Sequence, residues 1–226
     1  MRRKLIVFDF DGTLVDTITD VGICFNEALS FCGLPQHPLE SFGKFAGGNL
    51  ETVVSKMLPQ GQVTEENITR VKTKYREVYM NSKKPNTHPY PGMRELLYDL
   101  KIQGFLLAVN SNKGQSLLDD MVASLFPQGL FDSVVGYLET RPSKPDPYGV
   151  EMIIRECGCG INQTIYIGDG ISDVQTAVNA GIPCVFVTWG QGDISQLPKK
   201  PAVEIVNSVE QLKSYLMSVK KVRAAR

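Results

Sequence analysis

Short apolar runs bounded by turn residues recur along the chain at Leu5–Phe8, Phe105–Val109, Ser133–Val135, Ile165–Ile167 and Cys184–Val187. Strict alternation marks a strand with one wet face, whereas a continuous apolar run is buried on both faces, as in a parallel sheet covered by helices. Helical patterns fill the intervals. Pro91-Gly92 opens one through Leu96, Leu97 and Leu100 to Gly104; Asp146-Pro147 opens another that stops at Gly158; a third runs from Ser172 to about Ala180, with Gly181 as its stop. Ser208 and Gln211 form a capping-box signature ahead of Leu212, Tyr215 and Leu216. Strands alternating with helices predict an α/β, Rossmann-like doubly wound parallel sheet, whose strand carboxyl ends share one edge and build the site there.

The interval between the first and second runs breaks this rhythm, being far longer than one crossover helix requires, and most of it reads as helical. It predicts a second, all-helical domain inserted into the first. Its opening helix, about residues 17–32, puts Ile18, Val21, Phe25, Leu29 and Cys32 on one face at helical spacing, a core stripe. Phe45-Ala46-Gly47-Gly48-Asn49 reads either as a turn where the insert meets the rest of the chain over substrate or as a simple helix break.

Composition narrows the partners. With 226 residues, 24 Lys plus Arg and 24 Asp plus Glu, the chain has no overall basic field to draw it onto nucleic acid or anionic lipid. No apolar run approaches the ~20 residues needed to span a bilayer. Met1-Arg2-Arg3-Lys4 begins like a signal peptide, but the apolar run after it is too short for a targeting core, which predicts a cytoplasmic protein. The five cysteines form no paired CxxC framework and read as reduced thiols. His37 and His88 stand in no ligand spacing, and the basic Lys220–Arg226 tail reads as a solvated end.

Chemistry concentrates at the ends of the apolar runs. Asp9-Phe10-Asp11-Gly12-Thr13 sends two carboxylates out of the first run within one tight loop, where Gly12 permits the backbone its turn. A random chain of this length would contain such a DxDGT string about once in a few hundred cases. Two adjacent anions repel, and a hard divalent cation such as Mg²⁺ relieves that repulsion through oxygen ligands. A second acidic pair follows the fourth run in Gly168-Asp169-Gly170-Ile171-Ser172-Asp173. Asp173 alone is an ordinary choice for a first helical turn. Asp169, at the same sheet edge as Asp9 and Asp11, can converge with them into a metal site. Asn110-Ser111-Asn112-Lys113 brings a hydroxyl and an amide to that edge for phosphate oxygens, with Ser111 as a helix N-cap the compatible rival account. Lys144, ahead of Pro145-Asp146-Pro147, can extend an ammonium into the crevice.

This order of motifs resembles the haloacid dehalogenase-like superfamily: DxDGT, a Ser or Thr after the second strand, a Lys, then a GDxxxD-like pair. The likeness spans nearly the whole chain and is nearest to phosphoglycolate phosphatase-type members, through Asp11-Gly12-Thr13-Leu14-Val15-Asp16-Thr17 and Pro89-Tyr90-Pro91-Gly92. It implies a core over residues 1–15 and 85–226 with an inserted helical cap, in the C1 position, at 16–84. By position it implies Asp9 as nucleophile and Asp11 as general acid/base. It implies Thr13, Ser111, Asn112 and Lys144 on the substrate side, Thr13 also ordering the loop. Asp9, Asp11, Asp169 and Asp173 are then the metal residues and Mg²⁺ the cofactor. Asn110 departs from the more hydrophobic residue usual before the Ser or Thr.

The residues support the same chemistry on their own: a carboxylate can attack phosphorus to give an aspartyl phosphate, while a second carboxyl protonates the leaving oxygen and then activates water. A carboxylate at position 11 speaks against dehalogenation, which needs no leaving-group acid. The expected protein is a phosphomonoester hydrolase of a small phosphorylated metabolite, 2-phosphoglycolate first, acting as monomer or homodimer. A sugar-phosphate mutase or pyrophosphatase would use the same core, and a noncatalytic phosphate-sensing module is the reading from another class.

Overall fold

The computed structural model describes residues 5–198 and 203–221, so the Met1–Lys4 segment and the basic tail beyond residue 221 lie outside the described residues. In chain order, β1 (Leu5–Phe8) and β2 (Val15–Asp16) precede the helices α1 (Ile18–Phe31), α2 (Leu50–Met57) and α3 (Glu65–Asn81), with a 3₁₀ segment at Leu39–Phe45. The chain returns through β3 (His88–Pro89) and continues as α4 (Met93–Ile102), β4 (Leu106–Gly114), α5 (Gln115–Leu125), β5 (Ser133–Tyr137) and α6 (Tyr148–Glu156). It ends with β6 (Thr164–Gly168), α7 (Ile171–Asn179), β7 (Cys184–Val187), β8 (Glu204–Val206) and α8 (Val209–Lys221).

Six strands form one parallel sheet in the order β5-β4-β1-β6-β7-β8. The chain therefore winds outward from β1 through β4 to β5, then returns to β6 on the other side of β1. Such an order reversal opens a crevice beyond the strand carboxyl ends. Register puts Phe8 opposite both Val109 and Ile167, so Asp9 and Asp169 leave neighbouring strands at the same edge.

The unbroken apolar runs are buried on both faces, as their composition predicts. Ile6 and Phe8 pack with Leu96 and Leu100 of α4, Leu118 of α5 and Leu212 of α8. Leu5 and Val7 point the other way, onto Val150 and Ile153 of α6 and Val174 and Ala177 of α7. Each such Val, Leu, Ile or Phe side chain contributes roughly 1.5–3 kcal/mol on burial. Two features were not legible as strands. Residues of β4 beyond Val109 stay extended through Asn110 to Gly114, and the three-residue β8, with Glu204 and Ile205 exposed, is too short and too polar to stand out.

The helices between β2 and β3 have a core of their own. Phe25, Leu29 and Cys32 from the expected stripe of α1 pack with Phe42, Val54, Met57 and Val71, and the Phe25 and Tyr75 rings stack at 3.7 Å between centroids. Cys24, Val78 and Tyr79 belong instead to the main core, so this unit is also anchored to the sheet layer. Its two connections pair as antiparallel β2 and β3. Asp20, buried in α1, accepts from Asn86 N and Nδ2 at 2.9 Å each and from Thr87 Oγ1 at 2.7 Å, tying the outgoing helix to the returning strand. Gly47 and Gly48 both adopt positive φ between the 3₁₀ segment and α2, whose N-cap is Asn49, so this stretch is a helix break.

Candidate active site

Three carboxylates from the ends of β1 and β6 and the first turn of α7 converge beyond the sheet edge. One oxygen from each of Asp9, Asp169 and Asp173 lies within 4.8 Å of the others, and all three residues are buried. Lys144 reaches into this group, with its Nζ 2.8 Å from Asp9 Oδ1 and 2.6 Å from Asp173 Oδ1. Burial leaves these charges without water, so each is held by an explicit partner. Asp9 Oδ1 also accepts from the Phe10 amide at 2.7 Å, and the contacts to Phe10 and Lys144 both fall on that oxygen. Asp169 accepts from Thr13 Oγ1 at 2.9 Å and from the Gln191 amide at 2.8 Å. Asp173 accepts from the Gly170 amide at 2.9 Å, so it caps α7 as well as pairing with Lys144.

Electrostatics follow from that crowding. Burial first, then repulsion by Asp173, hold the Asp9 carboxyl well above its usual range, and Lys144 offsets only part of this. The same two causes push Asp169 up to about 6. Burial works against the charge of Lys144, but Asp173 and Asp9 outweigh it and raise its pKa well above the ordinary lysine value. Three buried oxygen donors with one ammonium between them leave an excess of negative charge. That is the donor set a hard divalent cation takes, and it carries no sulfur or imidazole that would favour a softer ion.

The remaining expected site residues divide. Ser111 is buried within β4, and its hydroxyl accepts from the Lys113 amide at 3.2 Å. It is not a helix N-cap, because β4 runs on and α5 begins after Gly114. Asn112 spends its amide on the main chain of Lys144, accepting from its N at 2.9 Å and donating to its O at 3.2 Å, and so braces the lysine loop. Thr13 is fully buried with its hydroxyl on Asp169, which fits its loop-ordering role. The structure does not bring the Asp11 carboxylate into the acidic cluster. Its oxygens face Lys113 Nζ at 2.9 and 3.0 Å and Thr17 Oγ1 at 2.7 Å.

Sequence reasoning missed four participants, Lys113, Trp189, Gly190 and Gln191. Lys113 stood beside Ser111 in the second motif, yet a lysine at a strand end carries no signal of its partner. Trp189, Gly190 and Gln191 follow β7: the indole donates to Thr13 O at 3.1 Å, and the Gln191 amide holds Asp169. A Cβ on Gly12 would lie 2.5 Å from Asp169 Oδ2, and one on Gly190 would also collide with that carboxylate. Only glycine lets both loops close on Asp169. Asn110, the departure within the second motif, is buried with its Nδ2 3.3 Å from the Tyr166 hydroxyl, which lies 3.3 Å from Asp173 Oδ1. Its polarity belongs to the network behind the acidic cluster.

A parallel sheet with an order reversal, an aspartate at the end of its first strand and a lysine among buried carboxylates together define a doubly wound α/β protein with a charged site at its topological switch point. The family model for haloacid dehalogenase-like hydrolases matches residues 6–187, and the chain belongs to that family. It is 30% identical over 196 residues to the phosphoglycolate phosphatase of Aquifex aeolicus, covering 86% of this chain and 90% of that one. It is 29% identical over 216 residues to the phosphoglycolate phosphatase of Pseudomonas syringae pv. syringae, covering 92% and 78% respectively. Among solved structures, a candidate phosphoglycolate phosphatase from Lactobacillus delbrueckii subsp. bulgaricus superposes with a TM-score of 0.88 at 28% identity, over 96% of this chain and 99% of that one. The protein is a phosphatase of small phosphorylated substrates.

Proposed function

We propose that the protein is a Mg²⁺-dependent phosphomonoesterase whose substrate is 2-phosphoglycolate, the ester named for its relatives from Aquifex aeolicus and Pseudomonas syringae. The observation that carries this reading is the buried group of Asp9, Asp169 and Asp173 around Lys144 at the carboxyl edge of β1 and β6. Asp9, Asp169 and Asp173 would hold the ion. When bound, Mg²⁺ neutralises the carboxylates and the phosphoryl oxygens so that anion can approach anion.

Asp9 is the nucleophile. Its Oδ1 is fixed by Phe10 and Lys144, which leaves Oδ2 to attack phosphorus and form an aspartyl phosphate. Lys144 and the Ser111 hydroxyl bind the phosphoryl oxygens, with the lysine loop held by Asn112. Asp11, two residues on and tied to Thr17 and Lys113, gives a proton to the leaving alcohol and later takes one from the attacking water. Thr13 and the Gln191 amide keep Asp169 oriented, as donors behind a ligand do. Residues 16–84 form a cap over a core of 1–15 and 85–226, a division supported by the separate hydrophobic cluster of α1–α3. The five free cysteines fit work in the reducing cytoplasm.

The test is phosphate release from a panel of small esters with and without Mg²⁺, with product analysis. Mg²⁺-dependent formation of glycolate and phosphate is expected. Turnover of no ester in any metal would defeat the reading, and an isomerised phosphate ester as product would make the protein a mutase.

A further inference from the structure

The proposed chemistry brings one buried cation, Lys144, to the substrate and gives another, Lys113, only Asp11. Lys113 leaves the end of β4 with its side chain 7% exposed and sits between the loop after β1 and helix α3, 4.9 Å from the centroid of the Tyr79 ring. Two of its three ammonium protons are directed at Asp11, at 2.9 and 3.0 Å from Oδ1 and Oδ2. No hydrogen-bond acceptor among the described residues takes the third. Burying an ammonium is costly, and the phosphoryl group already has Lys144, Ser111 and the acidic site's ion. Asp11 balances the charge of Lys113, and the third proton, beside the Phe10 and Tyr79 rings, is left to meet an anion other than phosphate.

Resting on the phosphatase reading above, we propose that Lys113 selects phosphate esters whose alcohol carries a carboxylate on the carbon bonded to the ester oxygen. The argument is one of reach. Asp11 must touch the ester oxygen to protonate it, and Lys113 touches both oxygens of Asp11. A carboxylate oxygen only three bonds from the ester oxygen then falls beside the ammonium. The flexible lysine stem lets Nζ donate to Asp11 and to the substrate together, so recognition and acid placement share one group. A carboxylate one carbon further out, or a neutral alcohol, leaves the third proton unanswered. A site whose buried donor is left unpaired rejects such an analogue strongly.

The experiment compares 2-phosphoglycolate with its neutral counterpart, 2-hydroxyethyl phosphate, as substrates of the parent protein and of Lys113→Met and Lys113→Arg. For Lys113→Met, kcat/KM for the carboxylate ester is expected to fall about 30-fold further than for the neutral ester, mostly through KM, the scale of one charge-assisted hydrogen bond. Lys113→Arg should keep the preference to within about threefold. Lys113→Gln, without the charge, serves if the methionine variant does not fold and should lose the same preference. Equal losses on both esters would overturn the proposal, because Lys113 would then act only by holding Asp11. Calorimetric binding of the two esters to Asp9→Asn gives a readout independent of turnover. Preferential binding of the carboxylate ester without hydrolysis by the parent would remove the phosphatase reading and leave the role of Lys113. Hydrolysis of both esters with no preference would remove the role of Lys113 and leave the phosphatase.

Discussion

The ammonium of Lys144 lies 2.6 Å from Asp173 Oδ1, joining a loop after β5 to the first turn of α7 across 29 residues of sequence, with both side chains almost fully buried. A pair this dry is held by its surroundings: Asn112 fixes the lysine's main chain, and Gly170 and Tyr166 fix the aspartate. Breaking a buried pair from one side strands the other charge.

Lys144→Ala should therefore destabilise the metal-free protein by ~3–5 kcal/mol at neutral pH and abolish turnover. Urea unfolding monitored by circular dichroism checks the first part and phosphate release the second. A stability within ~1 kcal/mol of the parent would show that Asp173 and Asp9 do not depend on the lysine.

Asp9→Asn should behave in the opposite sense. It removes the nucleophile, costing several powers of ten in kcat, yet it also removes a carboxylate whose ionisation is opposed first by burial and then by Asp173. The metal-free variant should melt no lower than the parent at pH 7. Turnover near the parent rate would reject Asp9 as the attacking group.

The pH dependence of stability has a definite sign. Asp169, raised to about 6 from an ordinary 3.8, holds its proton more tightly when folded than when unfolded. That contribution is complete below about pH 4 and disappears as pH rises through about 6 in chelator-treated protein. Asp9 shifts in the same direction. Mg²⁺ should accordingly raise the melting temperature more at pH 7.5 than at pH 5. A metal-free stability that climbs between pH 4 and 7 would contradict the burial of these groups.

Thr13→Val exchanges a fully buried hydroxyl for a methyl and leaves Asp169 Oδ1 without its donor. The expected cost is ~1–3 kcal/mol, with weaker Mg²⁺ binding by calorimetry, whereas Thr13→Ser should retain most of both. Parent-like metal affinity in the valine variant would mean that the Gln191 amide alone orients Asp169.

Asp20→Ala leaves the Asn86 and Thr87 donors unpaired where α1 meets the strand returning to the core. Stability should fall by ~2–4 kcal/mol, and hydrogen exchange at residues 86–88 should accelerate. Unchanged exchange there would separate Asp20 from the connection.

Much of this was written in the order of residues. Unbroken apolar runs dictate strands buried on both faces, because an unpaired polar face would have to alternate, and five of the six strands of the main sheet are legible in that way. Strand ends in a parallel sheet share an edge, so Asp9, Ser111 and Asp169 were bound to approach one another once the sheet was known. Side-chain partners were not legible, since they depend on three-dimensional reach. Asp11 sits two residues from Asp9, yet it turns to Lys113, 102 positions away, instead of joining the cluster. Asn112 turns to the Lys144 main chain, and Gln191 holds Asp169 through an amide that every residue but proline possesses. Local patterning and chain connectivity determine which carboxylates reach the crevice. Which of them meet an ion, a lysine or a neighbouring helix is decided only when packing removes water and each buried charge must find a partner at hydrogen-bond distance.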